Sequence, residues 1–143
     1  MKVKHVGLVC CIVLSLVPGV RAGQQSQSCE VTPDQAASLV GKTVTWNGVF
    51  VGTQVTSLGG KVDTLHIYRC TGTEAAPVVK DVLFAFSVAD SVSDAAASKA
   101  ELKTVLRVTG TFVKFDDVRA ENALRSARIL KGVKISVAPT RQP

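Results

Sequence analysis

The side chains able to do chemistry are few and widely spaced. His66 is the one histidine beyond residue 22, Cys29 and Cys70 are the two cysteines beyond it, and Asp116-Asp117 is the one adjacent pair of carboxylates. A Cys–His nucleophile needs a free thiolate beside a base, and Cys70, four residues after His66, is not free if it is bridged to Cys29. Two separated cysteines and one histidine fall short of the four ligands of a structural zinc site. Asp116-Asp117 reads as a turn or helix-cap pair. There is no Gly-rich phosphate loop, no G-x-S-x-G elbow and no H-E-x-x-H. No catalytic set, metal or cofactor is expected, which leaves a binding role.

Positive charge is the strongest chemical signal. Residues 23–98 hold four Lys/Arg against seven Asp/Glu, whereas residues 99–143 hold ten against four. Arg119, Arg125, Arg128, Lys131 and Lys134 put five cations into sixteen residues. Gathered on one surface, such a set would meet phosphates or an acidic partner. Strung along a strand, it is a solvated face.

Residues 1–22 read as a secretory signal peptide. Lys2 and Lys4 precede an apolar run from Val6 to Val17, Pro18-Gly19 breaks it, and Val20-Arg21-Ala22 suits cleavage before Gly23. The run is short for a membrane span, which needs about 20 apolar residues; an uncleaved anchor is the alternative. Losing Lys2, Lys4 and Arg21 takes the net charge from +6 to +3, and Cys10 and Cys11 go with the leader. Cys29 and Cys70 then remain as a pair in a periplasmic or secreted chain, where a disulfide is expected. Two free buried thiols are the other outcome.

The elements that must position these residues follow from pattern. Thr32-Pro33-Asp34-Gln35 is a capping-box helix start and Gly41 a helix stop. Period-two runs predict strands over Lys42–Gly52, Val62–Arg69, Val78–Val88, Thr104–Phe115 and Ile129–Val137. In the first, the apolar phase slips at Gly48, as at a β-bulge. Val82, Phe84 and Phe86 form an inward stripe. Alanine-rich Ser91–Lys103 predicts a helix, and Asp116–Arg128 a long loop or one or two helical turns. Val44–Val51 aligns without gaps on Leu106–Val113, with Gly48 on Gly110; two such strands suggest two places where a sheet bends to close.

Strand, strand, strand, helix, strand, strand with a Gly-bearing first strand resembles the OB-fold superfamily, a five-stranded Greek-key barrel. VTWNGVFVG and LRVTGTFV are similar to the strands of anticodon-binding-type OB domains. With its leading short helix, the chain resembles small exported bacterial proteins of that type from Gln35 to Val137. The resemblance implies one OB-like domain over 23–143. It also implies a binding surface on strands two and three, flanked by the loops Thr53–Lys61 and Asp116–Arg128. His66, Tyr68 and Arg69 fall on the strand-two part of that surface. A single-strand nucleic-acid binder would offer more exposed aromatics in a basic groove, and a nuclease of this type would need acids and arginines around a calcium, a set not found here. The expected function is therefore an exported, non-catalytic module that binds a protein partner. The alternative is an anionic polymer, single-stranded nucleic acid or acidic glycan, held by the C-terminal cations.

Overall fold

The computed structural model describes residues 27–71 and 78–140. The predicted leader lies outside the described residues, and so does Glu74–Pro77, which the sequence reads as a loop before the third strand. Helix α1 spans Pro33–Leu39 and starts at the predicted box. The Thr32 hydroxyl accepts from the Gln35 backbone N–H, and the Gln35 side chain accepts from the Thr32 N–H. Seven residues are too few for a helix to stand alone. It is docked where the Gly41 N–H donates to the Phe112 carbonyl and the Phe112 N–H to the Lys42 carbonyl.

Six strands follow: β1 (Thr43–Leu58), β2 (Lys61–Thr71), β3 (Val78–Ser87), β4 (Ser91–Ser93), β5 (Leu106–Ala120) and β6 (Ala123–Val137). They form one sheet in the order β3-β2-β1-β5-β6-β4, and an additional β3–β6 pairing closes it into a ring. That closing pair is parallel, Leu83–Phe86 against Ala127–Leu130. β4 lies parallel to β6 further along, at Val133–Ile135.

The sequence echo has a structural meaning. Its two copies pair with each other antiparallel, Val44 with Gly110, Trp46 with Val108 and Gly48 with Leu106. Equivalent positions exchange across the Trp46–Val108 pair, so that pair sits on a local two-fold. A Cβ on Gly48 would come within 2.7 Å of the Phe84 ring and 2.9 Å of the Arg69 carbonyl; one on Gly110 would meet Val133 at 2.8 Å. Both glycines are required by close approach. The bulge in β1 is not at Gly48, as the phase slip predicts, but between Phe50 and Gly52; at Gly48 the strand passes from β5 to β2.

Period two sorts the side chains into two layers. Inside the ring lie Trp46, Tyr68, Phe84, Phe86, Val108, Phe112, Leu130 and Val133, all buried. Trp46 meets Phe84 and Phe112 at 5.8 and 6.2 Å between centroids. Outside it, Ile67, Leu83 and Ala85 pack against Val118, Ala120 and Ala127. The far end of the β5–β6 hairpin thus curls over the outer face of β2 and β3. The Cys29–Cys70 disulfide, with Cα atoms 6.2 Å apart, ties the segment before α1 to the end of β2.

Further expectations are corrected. Thr53–Lys61 is not a loop: β1 runs on to Leu58 and β2 starts at Lys61, with only Gly59-Gly60 between them. Ser91–Lys103 is not a helix: it holds β4, turns at 95–96 and 102–103 and a 3₁₀ turn at Ala97–Lys99. Val92 and Leu102 are both 71% exposed, so no apolar stripe holds a helix there. The Asp94 carboxylate instead accepts from the Ala97 N–H at 2.7 Å and fixes the turn. Asp116–Arg128 is neither loop nor helix but the continuous end of the β5–β6 hairpin. Glu121 and Asn122 turn it with φ of 51° and 64°, the left-handed pair a two-residue hairpin loop requires.

Candidate functional site

Strand alternation separates the three residues that the OB resemblance puts on β2. Tyr68 faces into the ring, 4% exposed and stacked on Phe84 and Phe86 at 5.5 and 5.4 Å; burial pushes its phenol up from 10.0. His66 lies on the same side nearer the rim, 5.3 Å from the Phe50 ring, and burial lowers its pKa from 6.5. With Phe50, Leu102 and Thr104 they line a hollow of about 180 Å³ beneath the turn after β4. Arg69 points to the opposite, outer face.

On that outer face Arg69 anchors the hairpin. Its guanidinium donates to Glu121, and Arg125 donates to Asp81 while lying 3.8 Å from Glu121. The Arg119 backbone N–H donates to the Gln54 side chain of β1. Asp81 is aimed by local strand geometry: β3 slips register against β2 between Arg69 and Thr71, and Asp81 takes φ 72°, tolerable for aspartate. Two cations thus meet two carboxylates, and Arg69 and Arg125 are internally compensated.

Arg128 is placed differently. It pairs across the sheet with Phe115 on β5 and Phe84 on β3, so its side chain belongs to the ring's inner side, at the end crossed by the N-terminal segment. The guanidinium lies 5.0 Å over the Phe115 ring and donates to the Val31 carbonyl at 3.0 Å. Its Nε is buried without a hydrogen-bond partner. Burial lowers its pKa, opposed by the charge of Glu30, which forms no ion pair with it. Beside it opens a hollow of about 490 Å³, floored by Val31, Pro33 and Phe115 and edged by Arg125, Ser126 and Asp81.

The five clustered cations do not form one surface. Arg125 is held by carboxylates and Arg128 is turned inward, while Arg119, Lys131 and Lys134 are exposed. Along an extended strand, Arg125 and Lys134 stand roughly 30 Å apart. The residues that complete the site were not singled out in the sequence: Phe50, Gln54, Asp81, Phe115 and Glu121. One signal was present, the Lys80-Asp81 interruption of an apolar run; the others depend on which strands meet.

No protein family, no curated protein and no solved structure matches the chain. The chemistry of the site therefore rests on its own residues.

Proposed function

We propose that the chain is a non-catalytic OB-type module of an exported protein, periplasmic or secreted, and that it engages a protein partner. The OB reading is supported by the ring order β1-β2-β3-β6-β5 with its parallel β3–β6 closure, the five-strand Greek key with β4 as a short addition. Export is supported by the leader sequence, and the Cys29–Cys70 disulfide is compatible with an oxidising compartment.

The observation that carries the partner reading is the free end of the β1–β2 hairpin. Residues 49–58 of β1 pair with β2 alone, and residues 61–64 of β2 pair only with β1. One face of that end carries Thr53, Val55, Val62 and Thr64, with Val55 67% and Val62 73% exposed. An unpaired strand edge flanked by β-branched side chains suits strand addition by an extended peptide of another protein. The polymer reading has less support, since the exposed cations are scattered.

The test is capture from native envelope or culture fluid by the whole chain, with V55D/V62K beside it. The double variant is expected to fold as the parent does and to lose the captured protein. Equal capture by both would move the interface elsewhere. Binding of single-stranded oligonucleotide with a steep salt slope would replace this reading with the polymer one.

A further inference from the structure

We propose that the hollow beside Arg128 is a binding site for an organic carboxylate that carries an apolar group. A guanidinium drawn out of water is costly unless an anion compensates it. Arg69 and Arg125 have such partners in ion pairs; Arg128 has no ion pair among the described residues, where the charge of Glu30 acts on it without contact and its direct neighbours are a neutral carbonyl and an aromatic face. Its fork is partly used. Nη2 donates to Val31 and Nε, like that of Arg69, is buried, so Nη1 and the second Nη2 hydrogen are the edge of the fork that a ligand can meet. A carboxylate is a group that accepts two parallel hydrogen bonds from a guanidinium edge.

The rest of the ligand is specified by the floor. Val31, Pro33 and Phe115 are apolar, and about 490 Å³ is room for an aromatic or branched aliphatic group attached to the acid. The Asp81 carboxylate at the rim, paired with Arg125, disfavours a doubly charged anion such as phosphate. The site is built before the ligand arrives: Phe115 and Arg128 face each other across the β5–β6 ladder, and the disulfide holds the segment that carries Val31. The acid has two natural sources, a free small molecule or the C-terminal carboxylate of a peptide ending in an apolar residue.

The experiment titrates the oxidised chain with 3-phenylpropionate, 3-phenylpropionamide, inorganic phosphate and a short peptide ending in Phe, read by the backbone amides of Phe115, Ser126 and Arg128. The acid is expected to bind near about 1 mM or tighter. The amide is expected to be at least about tenfold weaker, R128Q to lose a similar factor, and R128K, which lacks the fork, to fall between. Tighter binding of the peptide than of the small acid assigns the source to chain ends; the reverse assigns it to free acids. Equal binding of acid and amide, competition by phosphate as effective as by the acid, or no shift at about 10 mM of either acid overturns the site. The acid–amide comparison uses the unaltered protein, so the outcome stands even if R128Q does not fold.

Discussion

Single residues divide by which side of a strand they occupy. His66 is the instructive one, because its neighbours on both sides of the chain point elsewhere. Burial against Phe50 and Phe86 lowers its pKa below the ordinary 6.5. The unfolded chain therefore binds the proton first as pH falls, and stability present above 6.5 is lost as pH falls toward the folded value. Urea midpoints at about pH 7.5 and 5.5 are expected to show a shallow decline on acidification that H66Q removes. This window lies above the ordinary carboxylate range, so the slope belongs to the imidazole. An unchanged slope in H66Q would place the titrating group elsewhere.

Among the elements, the β5–β6 hairpin decides most. Its far end is held to β2 and β3 by two kinds of contact, and magnitude separates them. The Arg69–Glu121 and Arg125–Asp81 pairs are half-exposed to exposed, and such pairs are each worth about 1 kcal/mol or less. Ile67 is 1% exposed beneath Val118 and Ala120, and truncating a buried isoleucine costs about 2–5 kcal/mol. E121Q is accordingly expected to lower stability by no more than about 1 kcal/mol and I67A by about 2–5 kcal/mol, measured by chemical denaturation. Comparable losses would mean that the charges, not the apolar layer, seat the hairpin. The hairpin was also the element least legible beforehand. Asp116–Arg128 is polar with scattered alanines, because the face toward β2 and β3 mixes the small packed residues Val118, Ala120 and Ala127 with the ion-paired Arg125, and that composition hides period two.

For the whole molecule, the ring and the disulfide act together. Cys29–Cys70 joins residues 41 apart, a loop whose closure is worth about 4 kcal/mol in the chain-entropy model. Replacing both cysteines with serine is expected to lower unfolding free energy by roughly 3–4 kcal/mol, read by the shift in denaturation midpoint against the oxidised parent. A shift near zero would mean that the first residues are held by other contacts, such as the Gln27 N–H to the Thr45 carbonyl.

The amino-acid sequence by itself determined the capping box of α1, the cysteine pair, the strands around Trp46, Ile67, Phe84 and Val108, and the inward stripe of Phe84 and Phe86. These are local or period-two features, dictated by side-chain alternation and by caps a few residues long. It also marked Gly48 and Gly110, although their reason, the approach of Phe84 and Val133, is tertiary. Only the closed ring decided that Tyr68 is core, that Arg125 is neutralised by Asp81 and that Arg128 is left facing an open hollow. Charge counted along the chain leaves both a basic patch and a solvated strand face open. Charge placed by strand register separates those five side chains between two faces and along two strands, because neighbours on a strand point apart and partners come from strands distant in sequence.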